Sequence, residues 1–408
     1  MIMVITRGYP YGGEPFLIAE NKYTPEDTLY FSLSPDTYEI TDPAFRGKAY
    51  RIHKWKVNIL MALYALPGIF DRVFWSELIS MKKRKKISVK KIIAMSAFYG
   101  GAMRCYYGVK KHIKEEKLNE KTEIVYSYWM SYHAFVAAKI KKKYPKIKMI
   151  TRCHGGDVYE FRPKTGYLPF RKFILESADS VYAVSNDLKN YLEKNFSEMA
   201  GNKISVLHLG TEGGRKNRNL PKDNIVRIVS CSSMIPVKRI HKIILALEHI
   251  KKENVCWTHF GDGPLSEELK KSAEKLGDNI KWSFTGQKSN EEIISNYESN
   301  YYDIFVNTSE SEGTPVSIME AMSFGIPIVA PAVGGIDEMV IDRKNGFLLE
   351  PDFDEKKLAD IICMFYGMHE NEKKKFRENA RKTWEENYDA AKNYRIFFEK
   401  ITKAISTI

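Results

Sequence analysis

The 408-residue chain predicts an α/β protein made of two doubly wound parallel sheets. Short apolar runs rich in Val, Ile, Tyr and Phe alternate with helix-length segments along the whole sequence, which is the pattern of βαβ units. That alternation breaks once, over residues 208–224, where Gly, Asn and charged residues replace any periodicity. The length suits two domains of ordinary size, each able to bury its own core.

In the first half, strand-like runs fall at residues 2–6, 28–33, 50–55, 123–128, 147–153, 180–184 and 204–207. In the second half they fall at 226–231, 255–260, 280–284, 303–307, 326–330 and 347–349. Expected domains are therefore 1–210 and 225–387, with 211–224 as linker. The last helix-like stretch, 388–405, carries Ala391, Tyr394, Phe397, Phe398 and Ile401 on one face, so it needs an apolar surface to lie on.

With 44% hydrophobic and 28% charged residues the composition is globular. The longest apolar stretches, 57–70 and 92–103, fall short of the roughly 18 residues that cross a bilayer. The opening Met1-Ile-Met-Val-Ile-Thr6 reads as a strand without a basic leader, so no secretory signal is expected. Cys105, Cys153, Cys231, Cys256 and Cys363 form no metal-ligand or redox spacing, which predicts free thiols in a reducing cytoplasm.

Charge is distributed unevenly. Residues 1–220 hold 38 Lys+Arg against 21 Asp+Glu, and the remainder holds 26 against 30. A basic first half calls for an anionic partner. Lys82-Lys-Arg-Lys-Lys86 and Lys90-Lys91 lie between the two apolar stretches, which suits peripheral contact with an anionic membrane. A solvated helix face would carry the same residues. Nucleic acid is not expected, because aromatic-interleaved basic motifs are missing from the sequence.

The chemistry gathers at residues 307–320, Asn307-Thr-Ser-Glu-Ser-Glu312-Gly-Thr-Pro315-Val-Ser-Ile-Met-Glu320. A short apolar run precedes this stretch, and a helix start follows it with Thr314 expected as the cap and Pro315 as the first helical residue. On one continuous helix Glu312 and Glu320 would stand about 80° apart. Gly313 and Pro315 instead place Glu312 in the loop and Glu320 in the second turn, so both can face the carboxyl edge of a sheet, where such folds bind ligands. The N–H groups of Thr314, Val316 and Ser317 would offer a phosphate the positive end of the helix. Two glutamates alone would more often be a loop acid and a solvated helix acid.

The residues that follow, Ala321-Met-Ser-Phe-Gly325-Ile-Pro-Ile-Val-Ala330 and Gly334-Gly335-Ile-Asp-Glu338, extend the pattern. Over residues 225–350 the sequence resembles glycosyltransferase family 4, the retaining sugar-nucleotide-dependent transferases marked by an E-x7-E element. The resemblance implies the GT-B architecture, two Rossmann-like domains facing across a cleft, with the terminal helix crossing back onto the first. It also implies roles for single residues. Glu320 would hold the ribose, while Glu312 with Gly313, Thr314, Pro315 and Val316 would position the donor sugar.

Ser232-Ser233-Met-Ile-Pro-Val-Lys238-Arg239 resembles the family's G-R-x-x-x-x-K-G loop, which puts Lys238 on the donor diphosphate. Ser233 stands where the family has Arg, and Arg239 stands where it has Gly. Gly261, Asp262, Thr285 and Gly286, ordinary turn residues by type, fall where the family contacts the nucleotide and its base. Gly12 and Gly13 correspond to the loop facing the donor phosphates and acceptor. In Thr151-Arg-Cys-His154-Gly-Gly-Asp157, His154 resembles the family's acceptor-side histidine, with Asp157 beside it. His154, Lys238 and Glu312 are then the catalytic candidates.

No metal or other cofactor is expected. Asp352-Phe-Asp354 matches a manganese-binding string of another transferase fold, but it precedes a helix, where Asp is a good N-cap. The expected co-substrate is a nucleotide-sugar, a UDP-sugar ahead of a GDP-sugar, and the expected acceptor is lipid-diphosphate-linked or a glycan. The expected setting is bacterial surface polysaccharide biosynthesis in the cytoplasm, at the inner face of the plasma membrane. A sugar-nucleotide epimerase of the same architecture and, from a different class, a nucleic-acid-binding protein are the alternatives.

Overall fold

The computed structural model describes residues 1–12, 14, 16–52, 65–84, 87–214, 221 and 223–406. The chain divides into two compact units, Met1–Leu207 with Tyr394–Ile408, and His208–Asn393.

In the first unit the order is β1 (Ile2–Thr6), α1 (Phe16–Asn21), β2 (Leu29–Ser32), β3 (Lys48–Arg51), a 3-10 turn (Leu66–Phe70), α2 (Arg72–Lys83) and α3 (Val89–Glu115). Then come β4 (Ile124–Ser127), α4 (Tyr132–Lys143), β5 (Lys148–Cys153), α5 (Gly155–Val158), α6 (Arg171–Ser177), β6 (Ser180–Ala183), α7 (Asn186–Ala200) and β7 (Ile204–Val206). The seven strands line up as β3-β2-β1-β4-β5-β6-β7, with every pairing parallel. β1 and β4 are buried along their whole length, as strands covered on both faces must be. Side-chain caps start the helices between them. Asp71 accepts the Val73 N–H at 3.0 Å to open α2, and the Ser88 hydroxyl receives the Lys91 N–H at 3.4 Å to open α3.

The second unit runs β8 (Ile225–Cys231), α8 (His241–His249), β9 (Asn254–Phe260), α9 (Ser266–Ala273), β10 (Ile280–Phe284), α10 (Asn290–Ser299) and β11 (Ile304–Val306). It continues with α11 (Val316–Ser323), β12 (Ile328–Pro331), α12 (Ile336–Met339), β13 (Gly346–Leu349), α13 (Glu355–Gly367), α14 (Glu370–Asn387) and α15 (Ala390–Ser406). Its six strands order as β10-β9-β8-β11-β12-β13, again all parallel. Trp257, Ile304 and Val306 of the sheet share one core with Ile243 and Leu247 of α8 and Leu358 and Ile362 of α13. From Tyr394 onward α15 belongs to the first unit, where Phe397, Phe398 and Ile401 join Ile2, Val4, Tyr126 and Ile150 in its core.

Each sheet reverses its strand order once, between β1 and β4 and between β8 and β11. In open parallel sheets the loops leaving such a pair splay apart and open a crevice.

Three local expectations differ from what is found. β3 ends at Arg51, because its pairing with β2 runs from Leu29↔Lys48 to Ser32↔Arg51, and residues 53–64 lie outside the described ones. The foot of the expected linker is pinned: Trp384 donates to the Thr211 hydroxyl at 2.9 Å and Arg381 to the Gly214 carbonyl at 2.9 Å. Glycine permits this, since a Cβ at Gly214 would sit 1.9 Å from the Phe324 ring. Residues 215–220 and 222 of that segment fall outside the described residues. Finally, α11 starts at Val316, with Pro315 rather than Thr314 as its cap. The ψ of 116° at Pro315 is extended, which delays the helix by one residue, and the Pro315 carbonyl accepts from Ile318 at 3.2 Å.

Candidate functional site

The crevice between β8 and β11 brings together residues 74 positions apart. Lys238, at the end of the 3-10 turn Pro236–Lys238, donates from Nζ to Glu312 Oε1 at 2.5 Å. The same oxygen receives the Ser309 hydroxyl at 2.6 Å and the Asn307 amide at 3.4 Å. Three donors from two strand ends thus fix one carboxylate oxygen, and the Lys238 side chain keeps 23% of its exposure. In α11, which starts four residues after Glu312, the first-turn N–H groups of Val316 and Ser317 have no acceptor among the described residues, as expected of a helix start.

Backbone packing explains why this loop holds its shape. A Cβ at Gly334 would stand 2.1 Å from the Glu312 carbonyl oxygen, and φ there is +59°. The Gly335 N–H donates to the Gly313 carbonyl at 2.8 Å. The two glycines after β12 therefore cradle the peptide carrying Glu312, and only glycine permits that approach.

Glu320 lies in the second turn of α11 and is 8% exposed. The Asn290 side chain, at the start of α10, donates to its Oε1 at 2.5 Å. Burial pushes its carboxyl up to about 7 against the opposing effect of that hydrogen bond. Cys231, at the end of β8, is pushed up to about 12, chiefly by burial.

Arg239 adopts a left-handed backbone, φ +48°, at the position where the family pattern has Gly. Its guanidinium donates to the carbonyls of Thr308 at 2.8 Å, Ser309 at 3.3 Å and Pro351 at 2.8 Å. It thus ties down the loop leading to Glu312. Ser233 is exposed, its carbonyl accepting from Ile235 at 2.9 Å.

The remaining predicted residues of this unit lie at neighbouring strand ends. Gly261, with φ +140°, donates to the Gly286 carbonyl at 3.0 Å, and a Cβ there would be 1.9 Å from the Ser232 carbonyl oxygen. Thr285 directs its hydroxyl to the His259 carbonyl at 3.1 Å. Asp262 accepts from the Ser266 hydroxyl and from the Gly263 N–H at 2.7 Å, and these bonds hold its carboxyl below the usual range. Asp262 thereby shapes the turn into α9. Asp354 caps α13 by accepting the Lys356 N–H at 2.9 Å, and Asp352 is exposed.

In the first unit a second cluster occupies the crevice between β1 and β4. Gly12 lies in the loop after β1 with φ +94°, while Gly13 is outside the described residues. Glu14 gathers this loop: its carboxylate accepts the N–H groups of Gly8 at 2.7 Å and Tyr9 at 2.8 Å, and the Trp129 indole at 2.5 Å. The His154 ring lies 4.4 Å from Trp129 and 4.9 Å from Tyr128 by centroids. Both of its nitrogens are buried without a hydrogen-bond partner among the described residues. Asp157 spends both oxygens on backbone, accepting from His154 at 2.7 Å and Met130 at 2.6 Å. It therefore sets where His154 stands.

Sequence reasoning missed Asn290, Ser309, Glu14 and Trp129. Ser309 was within sight, three residues before Glu312 in the motif itself.

Comparison with known proteins identifies the family. The family model described as "Glycosyl transferases group 1" matches residues 214–383, and "Glycosyltransferase Family 4" matches residues 82–212. The chain is 24% identical over 399 residues to the uncharacterized glycosyltransferase MJ1069 of Methanocaldococcus jannaschii, covering 93% of this chain and 92% of that protein. It is 32% identical over 173 residues to the amylovoran biosynthesis glycosyltransferase AmsK of Erwinia amylovora, covering 39% of this chain and 41% of that one.

Among solved structures, sucrose-phosphate synthase from Thermosynechococcus elongatus superposes with a TM-score of 0.73 at 16% identity, covering 100% of this chain and 99% of that one. Anabaena HepE in complex with UDP and glucose superposes with a TM-score of 0.67 at 17% identity, with the same coverage. These two share the GT-B fold with this protein. With the two family models together matching residues 82–212 and 214–383, and with two parallel-sheet units of the GT-B kind, the chain belongs to glycosyltransferase family 4.

Proposed function

We propose that the protein is a retaining, metal-independent transferase that moves a sugar from a nucleoside diphosphate to a hydroxyl of a lipid-diphosphate-linked or other glycan acceptor in surface polysaccharide assembly. The observation that carries this reading is the Lys238–Glu312 contact at the β8/β11 crevice, four residues before the start of α11, whose first-turn N–H groups have no acceptor among the described residues. A cation and a helix start in one crevice make a seat for a diphosphate. A UDP-sugar is the first candidate donor and a GDP-sugar the second, an order supported by the UDP bound to the HepE fold neighbour.

Glu320 receives the ribose hydroxyls, which a carboxylate does well, while Asn290 holds its other side. Glu312 and Gly313 to Val316 position the sugar ring. As the anomeric carbon breaks its bond to the diphosphate oxygen, charge grows on the leaving group, and Lys238 with the α11 start neutralises it. The acceptor oxygen forms its bond on the same face of the ring, and its proton passes to the leaving phosphate oxygen. His154, whose ring nitrogens have no hydrogen-bond partner among the described residues and whose Nδ1 lies 3.9 Å from the Asp157 carboxylate, serves the acceptor side. Gly12 and Gly13 belong to the loop near the donor phosphates, and Ser233, Gly261, Asp262, Thr285 and Gly286 to the nucleotide's surroundings. The basic first unit rests peripherally on an anionic membrane at the cytoplasmic face.

Thermal-shift measurements against UDP-, GDP-, ADP- and CMP-sugars test the donor, with stabilisation by one nucleotide series expected. The anomeric proton signal of the product tests the stereochemistry. An α-linked donor should give an α-linked product, and a β-linked product overturns retention.

A further inference from the structure

The backbone that leaves β8 faces two ways. Ser232 turns toward β9: its N–H donates to the Phe260 carbonyl at 3.0 Å, and its carbonyl oxygen accepts His259 Nε2 at 3.1 Å. Met234 turns the same way, donating to the Asp262 carbonyl at 2.9 Å and accepting the Leu265 N–H at 3.2 Å. Ser233, between them, is left to face the opposite side. A peptide is planar and trans, so the Ser233 N–H points away from the Ser232 carbonyl. With β9 on one flank of β8 and β11 on the other, away from β9 means into the crevice that holds Lys238 and Glu312. This N–H has no acceptor among the described residues, and the Ser233 side chain is exposed.

One buried side chain holds that peptide. His259 is fully buried on β9, opposite Ser230 in the β8–β9 register. A carbonyl can only accept, so the Nε2 against Ser232 carries the proton of the ring. Nδ1 is then an acceptor, and the Ser230 hydroxyl donates to it at 2.8 Å. The Ser230 oxygen in turn accepts the Trp257 indole N–H at 2.9 Å. An indole only donates and a carbonyl only accepts, so the two ends of this row fix every proton between them. Burial pushes the His259 ring down to about 4, which keeps it neutral near pH 7 and the row in this one arrangement.

This loop is where the chain departs from the family pattern, with Ser233 in the place of Arg. Arg239, the other cation of the loop besides Lys238, is committed to three backbone carbonyls. Of the loop's own charges only Lys238 is left to face a diphosphate.

We propose that the Ser233 main-chain N–H binds the donor diphosphate in place of the family's guanidinium, and that His259 is the positioning residue that turns it there. This rests on the nucleotide-sugar reading above and adds the groups by which this chain makes up for the missing cation.

Ser232-Ser233 is the one Ser-Ser pair in the sequence. Labelling serine with carbonyl ¹³C and amide ¹⁵N therefore isolates the Ser233 amide of the full chain as a single NMR signal. UDP or GDP, whichever stabilises the protein thermally, should move that proton downfield as it gains an anionic acceptor, while the parent nucleoside leaves it in place. In His259→Phe, which lacks the donor to Ser232, the shift should be lost and kcat should fall by about 10²-fold, as when one donor to a developing anion is removed. His259→Gln keeps an N–H of similar reach and should recover both the shift and most of kcat. Phe and Gln variants that behave alike remove His259 from the role. A nucleotide that stabilises the native protein without moving the Ser233 amide overturns the inference and leaves the donor reading standing, and that measurement needs no variant. A shift given by inorganic pyrophosphate, with no nucleotide bound, keeps the anion site at Ser233 and sinks the nucleotide-sugar reading.

Discussion

Two ion pairs of nearly equal length occupy the two units. Arg152 on β5 meets Glu20 on α1 at 2.6 Å, with side-chain exposures of 0% and 3%, and Lys238 meets Glu312 at 2.5 Å, with 23% and 11%. The first is sealed: Tyr126 donates to Glu20 at 3.0 Å and the Phe397 ring lies 4.1 Å from the guanidinium. The second lies at a crevice, and its lysine reaches solvent. A closed pair can only hold the fold. An open pair can exchange its partner for a phosphate, because water already meets part of the cost of separating the charges. Distance alone would have ranked the two alike.

The largest effect should come from breaking the sealed pair. Glu20→Ala leaves the Arg152 charge buried and unmatched, and urea unfolding should show a loss of about 3–5 kcal/mol. Nucleotide affinity of the folded fraction should stay native. A variant of native stability would mean that the pair is not sealed.

Lys238→Ala comes next. Turnover should fall by about 10²- to 10³-fold, the usual result of losing one group that stabilises the developing charge, with little change in the unfolding midpoint. A raised donor KM at native kcat would place Lys238 in ground-state binding instead.

Glu320→Gln sharpens the comparison through pH. Burial pushes the folded carboxyl up to about 7, from about 4.5 in the unfolded chain, so the folded state binds its proton more tightly. Stability is therefore lost as pH rises through this window. Above pH 7 the Gln variant should be more stable than the native chain, by up to about 3 kcal/mol at about 1.4 kcal/mol per tenfold change in proton affinity. Native nucleotide affinity should weaken as pH falls below 7, where the carboxylate becomes protonated, whereas the variant should bind weakly at every pH. Calorimetric titration between pH 6 and pH 8 measures both trends, and a flat native profile would remove Glu320 from the ribose.

The smallest effect should follow Asp352→Asn with Asp354→Asn. Asn is also a good N-cap, so stability should change by only a few tenths of a kcal/mol. Transfer should survive EDTA in the native chain and the variant alike. Loss of activity restored by manganese would return Asp352-Phe-Asp354 to the site.

The alternation of apolar runs made both sheets legible, because parallel strands buried on both faces must be short and apolar throughout. The loop place of Glu312 and the helix place of Glu320 were legible in local chemistry, a glycine, a proline and a helix start, whereas Lys238 stood out only through resemblance to the family's loop. Asn290 was not, since its tie to Glu320 joins the start of α10 to the second turn of α11, 30 residues apart. Trp129 and Glu14, 115 residues apart, meet only once the β1 and β4 loops stand side by side. Arg239 shows the opposite limit. The sequence showed only that it replaces the family's Gly, and in the fold its backbone takes φ +48° while its guanidinium donates to three backbone carbonyls.

The ending of α15 also bears on how the protein is made. Phe397, Phe398 and Ile401 complete a core begun by Ile2 and Val4, and Phe397 lies over Arg152. The ribosome reaches these residues only after all of the second unit has been synthesised. At ordinary rates of synthesis the interval between Leu207 and Phe397 is roughly ten to forty seconds. Throughout that time the Arg152–Glu20 charges wait beneath an unfinished cover. The unit that emerges first is thus the last to close, and a chain stopped a few residues early would release it with its core open.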